Sequence, residues 1–173
     1  MYRYYRKRAN LSIEEAAELL HIAPRTLCKY EADEVAPNDV ALKMAEVYKA
    51  PEVTVLQCKK KCPIGSRYCY ELLNNVDTSP SAIINKYRQE DKESGEAIEN
   101  LAILMLNKKG EADCAEEELK QIWRWSLELL DLEHVIETMK LRLWDFIPVD
   151  KLIAEHNKKC IDKCYVKSEL KVS

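Results

Sequence analysis

Between Leu11 and Glu31 the sequence reads LSIEEAAELLHIAPRTLCKYE, a run whose punctuation leaves room for little besides two short helices joined by a tight turn. Ser12 and Glu15 make an S-x-x-E capping box, which starts the first helix at Ser12. Ala16, Leu19 and Leu20 then recur at helical spacing and give one apolar face. His21-Ile22-Ala23 interrupts the pattern. Pro24 suits the first turn of a new helix, because its fixed φ is already helical and its missing N–H has no partner to lose there. Leu27 and Tyr30, three apart, should pack inward, leaving Arg25, Cys28 and Lys29 on the outer edge. A short helix with a buried stripe and a basic edge is what the major groove of DNA admits.

On these residues, residues 1–57 resemble the Cro/C1-type (XRE) helix-turn-helix domain of phage repressors and bacterial regulators. Arg6, Leu11, Ser12, Ala16, Leu20, Ile22, Thr26, Leu27, Glu31, Pro37, Leu42 and Ala45 stand in family order and at family spacing. The resemblance implies a lambda-repressor-like domain of four or five helices, usually dimeric, that binds operator DNA. Its base-reading positions fall on Pro24 and Arg25, and one turn later on Cys28 and Lys29. Arg25 in such a place bridges guanine O6 and N7. Arg6 and Glu31 correspond to a pair that sets the angle between helices. Tyr2, Arg3, Arg8, Thr26 and Lys43 are further phosphate-contact candidates. The segment CPIGSRYCYELL, residues 62–73, resembles one that follows this domain in clostridial and phage-type regulators, and it implies no activity of its own.

Two positions depart from the family pattern. Ile13 replaces the Gln that opens the first helix of the motif, and His21 replaces the turn Gly. Base readout therefore falls to Arg25, Lys29 and Cys28. A protein-interaction module on the same scaffold stays open as the rival reading, and so does a regulator that senses metal or thiol oxidation.

Charge is distributed unevenly. Residues 1–61 hold 11 basic and 9 acidic residues (+2), and the remainder 16 and 21 (−5), which together give the net −3. Nucleic acid, if bound, belongs with the N-terminal part. No apolar run approaches the length of a membrane span, and the charged N-terminus is unlike a signal peptide, so a cytoplasmic protein is expected. An enzyme is not expected. His21, His134 and His156 have no nucleophile at motif spacing, and three glycines are too few for a phosphate-binding loop. The acidic runs Glu14/Glu15 and Glu116/Glu117/Glu118 suit first turns of helices, where they complement the dipole.

The rest of the chain reads as helical, giving an all-α protein with a C-terminal helical hairpin or bundle. A helix should start at Pro37-Asn38-Asp39. Residues 51–66, with a Lys triplet, two prolines and a glycine, read as a joint, so the domains are expected at 1–57, a Cys-containing joint at 58–78, and 79–173. Ser79-Pro80 starts a helix reaching about Lys108, with a break expected near Gly95. A long helix follows over 115–146, and a last one runs from Val149 to about Lys163. Within 115–146, Ile122, Leu129, Ile136 and Leu143 recur every seven residues, with Trp125, Leu132, Met139 and Phe146 three positions later. Every a and d position is thus apolar. Leu119, Trp123, Leu130, Val135 and Trp144 widen the stripe, which favours packing within a bundle. The partner expected first is the 80–108 helix through Ile83, Ile84, Tyr87, Ile98, Leu101 and Met105, with a homodimer interface on the remaining surface of the C-terminal helices. A dimer would present two recognition helices about 34 Å apart.

Seven cysteines (28, 58, 62, 69, 114, 160 and 164) form an odd set, which argues against a disulfide framework. Cys58 and Cys62 flank Lys59-Lys60-Lys61, and these lysines should lower a nearby thiol pKa. His156, Cys160 and Cys164 repeat every four residues along one helix face. Cys58, Cys62, His156 and Cys160 are a zinc ligand set of suitable chemistry, against the simpler reading that they are ordinary thiols and a surface histidine with no cofactor. Cys69 and Cys114 read as core thiols, and Tyr68 and Tyr70 as packing residues at the joint.

Overall fold

The computed structural model describes residues 1–33 and 35–166. Among them every regular element is helical. The chain divides into two units, Met1–Asp77 and Thr78–Ser173.

The first unit contains α1 (Tyr2–Arg8), α2 (Ile13–Leu20), α3 (Pro24–Asp33), α4 (Asn38–Val47), α5 (Glu52–Lys61) and the single turn α6 (Gly65–Tyr68). Ala16, Ala17, Leu20, Leu27, Ala41, Met44, Ala45, Ala50 and Val53 are buried together with Tyr2, Tyr5 and Tyr48. The alanines let helix backbones approach, and the tyrosines supply the bulk that so small a core needs. Leu19, expected on the apolar face of α2, is about half exposed, at 49%.

The stretch expected to be a joint is largely helix. α5 occupies residues 52–61 because its only prolines lie at or beyond its ends: Pro51 precedes it, and Pro63 follows Cys62. Gln57 then ties it into the domain. Its side chain accepts from the Tyr2 hydroxyl and donates to Ala36 O and Asn38 Oδ1, both at 3.0 Å. Tyr2, a phosphate-contact candidate by sequence, is fully buried by that contact.

The second unit contains α7 (Pro80–Leu104), α8 (Glu116–Leu143) and α9 (Val149–Asp162). α7 and α8 pack as a hairpin. α7 runs through Gly95 without a break, since a single glycine lowers helix propensity by only about 1 kcal/mol. Its inward face is Ile83, Tyr87, Glu90, Ser94, Ala97, Leu101 and Leu104, at alternating steps of four and three; Ile83, Glu90, Ser94 and Ala97 are buried. Ile84, Ile98 and Met105, expected in the seam, point outward with 46%, 52% and 50% exposure. The polar Glu90 and Ser94 hid the true stripe. Ser94 is accommodated by its hydroxyl donating to Asp91 O at 3.1 Å, and Glu90 by an ion pair with Lys86. The start of α8 is fixed by Glu118, which accepts from Ala115 N–H at 2.8 Å and from Lys108 Nζ at 2.7 Å. Those contacts hold its carboxyl below the usual Glu range, the Lys108 bond foremost. The turn between the helices places Asn107 at φ 64.

Candidate nucleic-acid interface

α2 begins as its capping box requires. Glu15 N–H donates to Ser12 Oγ at 3.1 Å, and Ser12 N–H donates to Glu15 Oε2 at 2.8 Å. The backbone bond from Ser12 is the main cause that lowers the Glu15 pKa. The helix ends at His21, which adopts the left-handed conformation (φ 56, ψ 41), a region in which His is enriched among non-glycine residues. His21 N–H and Ile22 N–H close the turn on Glu18 O and Ala17 O, both at 3.0 Å. The histidine thus fulfils the geometry that the family assigns to glycine.

α3 starts with Pro24 in its first turn. Leu27 is fully buried and Tyr30 partly so, while Pro24, Arg25, Cys28, Lys29 and Ala32 are exposed and Thr26 is half-buried. With about 100° between successive residues, Arg25, Cys28, Lys29 and Ala32 share one outer face. The helix is anchored from behind by Glu31, whose carboxylate accepts Arg6 Nε at 2.6 Å and Arg6 Nη2 at 3.0 Å. Arg6 also donates through Nη1 to Leu11 O at 2.7 Å. Both residues are buried, and the Glu31 hydrogen bond raises the already high Arg6 pKa. This pair joins α1, the start of α2 and the end of α3, so it sets the angle at which Arg25 and Lys29 are presented.

The surrounding cations differ in freedom. The Arg3 side chain is 62% exposed, with Nε 3.4 Å from Glu31 Oε2. Arg8 stacks over Tyr5 at 4.8 Å and reaches Glu52 Oε2 at 3.5 Å. Lys43 is half-buried on α4.

Residues 3–53 match the family model described as helix-turn-helix. The N-terminal domain is a helix-turn-helix domain. The match is to the Cro/C1 type and leaves the rest of the chain unassigned. Comparisons with curated proteins and with solved structures return no match. A helix-turn-helix domain of this type belongs, in general terms, to DNA-binding transcription regulators. No helix among the described residues is long and apolar enough to cross a membrane.

The cysteines sort differently from their sequence pattern. Cys28 is exposed on the outer face of α3. The Cys58 pKa is pushed up to about 11, chiefly by its neighbour Cys69 and by burial, with Cys62 a smaller cause. The Cys62 pKa is lowered, chiefly because its sulfur accepts the Gly65 and Ile64 N–H groups. The lysines are not the cause: Lys59 turns instead to Glu71 at 2.6 Å and to Cys69 O at 3.4 Å. Cys69, read as a core thiol, is only half-buried. Tyr68, read as a packing residue, is 71% exposed beneath Arg67.

In the second unit, His156 Nε2 and Cys160 Sγ lie 3.5 Å apart on α9. Cys164 falls beyond the end of that helix, at φ 59 and exposed, so the expected three-residue face stops at two. Carboxylate oxygens of Glu90, Glu93 and Glu128 lie within 4.8 Å of one another across α7 and α8.

Proposed function

We propose that this protein is a transcriptional repressor that lays α3 in the major groove of an operator, with Arg25 and Lys29 reading bases and Cys28 and Pro24 packing against base edges. The observation that carries this reading is the outward edge of Arg25, Cys28 and Lys29 on a helix fixed from behind by the buried Arg6–Glu31 pair. Arg3, Thr26 and Lys43 are the phosphate contacts that set its register. Phosphate contacts position the helix and base contacts specify the sequence.

A homodimer through the C-terminal helices completes the proposal. The hairpin leaves Ile84, Ile98, Trp123, Leu127 and Leu130 between 45% and 73% exposed, while the a and d stripe of α8 is only partly covered. A second copy covering these side chains would bring two copies of α3 to adjacent half-sites.

Salt dependence separates this reading from a protein-docking role for the same surface. Arg3 and Lys43 in two protomers give about four phosphate contacts, hence a slope of log K against log salt near −3.6 and about a 150-fold weakening from 50 to 200 mM salt. Fluorescence anisotropy on a labelled mixed-sequence duplex measures it. No binding at 50 mM salt, or binding indifferent to salt, contradicts the proposal and favours a protein partner.

A further inference from the structure

α9 leaves almost all of its surface in solvent. Val149 at its start is buried, and residues 150–159 are all exposed. Its sequence is nevertheless amphipathic. At about 100° per residue, Val149, Leu152, Ile153, His156 and Cys160 fall on one face, with Leu152 and Ile153 45% and 48% exposed. Along that stripe His156 Nε2 and Cys160 Sγ lie 3.5 Å apart. A tetrahedral zinc ion, with bonds of about 2.1 Å to nitrogen and about 2.3 Å to sulfur, holds two such atoms about 3.6 Å apart. The pair therefore already stands at the ligand separation of zinc, on neighbouring turns of one helix. In the metal-free chain the same separation serves a thiol–imidazole hydrogen bond. His156 is exposed and Cys160 half-buried, so an ion can reach both from solvent.

We propose that His156 and Cys160 are half of a zinc site shared between two copies of the chain, completed by the same two residues of the second copy. Structural zinc takes four protein ligands, and this pair supplies two. Among the described residues no third His, Cys or carboxylate ligand atom lies within 4.8 Å of both, the group of that kind being Glu90, Glu93 and Glu128 on α7 and α8. A two-fold axis through the ion supplies both missing ligands at once. Opposite edges of a tetrahedron are perpendicular, so the two helices cross near a right angle and touch mainly around the ion, where Leu152 and Ile153 stand one turn away. Such a crossing is small beside the ~800 Å² per partner of a standard interface, so the metal rather than apolar burial holds it. Charge balances. Each Cys160 thiol releases its proton to the medium as its sulfur–zinc bond forms, each neutral imidazole gives its Nε2 lone pair and keeps its proton on Nδ1, and two thiolates neutralise the dication. The site needs neither Cys58 nor Cys62, nor DNA binding. It lies on α9 and not on the exposed faces of α7 and α8, so it joins two copies whether or not those faces do.

The test is titration of the full reduced chain with cobalt(II), whose visible d–d bands gain strength in tetrahedral coordination by sulfur and nitrogen. The bands should saturate at half an equivalent per chain, and zinc should displace cobalt and bleach them. His156→Ala and Cys160→Ser should each weaken binding at least tenfold, whereas the Cys58→Ser/Cys62→Ser variant should bind as the parent does. In the unaltered protein zinc should protect Cys160 from alkylation, read by peptide mass spectrometry, so the assignment does not depend on any variant folding. Native mass spectrometry should show two chains carrying one zinc ion. A dimer that falls to monomer in chelator supports this site and contradicts the hairpin interface, while a dimer that survives chelation and takes up no zinc overturns this site alone. Saturation at one equivalent per chain, protection of other cysteines while Cys160 stays reactive, or a His156→Ala variant that binds as well as the parent would also overturn the shared site.

Discussion

Replacing Glu31 by alanine should destabilise the helix-turn-helix domain far more than an ordinary charge deletion. The substitution removes the acceptor of two hydrogen bonds from Arg6, at 2.6 and 3.0 Å, and leaves Arg6, 7% exposed in the fold, with Leu11 O as its remaining acceptor at 2.7 Å. A buried ion pair broken on one side costs about 3–5 kcal/mol, against about 0–1 kcal/mol for an exposed pair. At about 4–8 °C per kcal/mol for a domain of this size, the melting temperature should fall by on the order of 20 °C. Thermal unfolding followed by far-ultraviolet circular dichroism measures the change. Trp123, Trp125 and Trp144 all lie in the second unit, so tryptophan fluorescence reports that unit separately and should keep its transition. The double variant Arg6→Met/Glu31→Leu should recover most of the loss, since a buried pair replaced by apolar side chains is often neutral. A loss below about 1 kcal/mol for Glu31→Ala would show that the pair behaves as a surface pair, and that α3 is held by packing alone.

Other residues give sharper, smaller tests. The Tyr48 hydroxyl is buried with no hydrogen-bond partner among the described residues, and burial pushes its pKa up to about 12. An acid whose folded pKa is raised keeps its proton in the fold after the unfolded chain has lost it, so stability should fall as pH rises from about 10 towards 12; Tyr48→Phe should abolish that decline in alkaline unfolding curves and stabilise by about 1 kcal/mol at neutral pH. Gly95→Ala should raise the melting temperature of the second unit, by about 1 kcal/mol of helix propensity, because a Cβ there meets nothing within 4 Å; a destabilised variant would place Gly95 in a contact the single chain does not show. Gly65→Ala should do the reverse, with a cost of about 1–3 kcal/mol for overpacking in urea unfolding, given Cys58 O at 2.3 Å. Ser12→Ala should cost about 1 kcal/mol through loss of the α2 cap, visible in the same assay.

What could be read from the sequence divides along physical lines. The α2–turn–α3 unit was legible because local chemistry specifies it: the Ser12–Glu15 box, Pro24, and the Leu20 and Leu27 spacing act within a few residues of one another. The Gly-like turn at His21 was legible only through the family pattern, since sequence alone does not dictate a left-handed histidine. α5 is hard to read as a helix from the sequence because its local signals are poor. Its apolar content is low and its lysines are consecutive; the side chain that binds it, Gln57, acts through Tyr2, Ala36 and Asn38, which are distant in sequence. In α7 the apolar pattern misdirected. Ile84 and Ile98 outweighed Glu90 and Ser94 by hydrophobicity, yet the polar pair is buried because Lys86 and the Asp91 carbonyl satisfy it.

The most direct test of the account is selection of bound sequences from a random duplex DNA pool, with the full chain beside its Arg25→Ala/Lys29→Ala variant at near-physiological salt. The account predicts enrichment of a two-fold symmetric motif by the parent and loss of that motif in the variant, with Arg25→Ala alone costing about 1–3 kcal/mol at the selected site. Enrichment of the same motif by both proteins would contradict the role given to the outer face of α3, and no enrichment by either would contradict sequence-specific DNA binding itself.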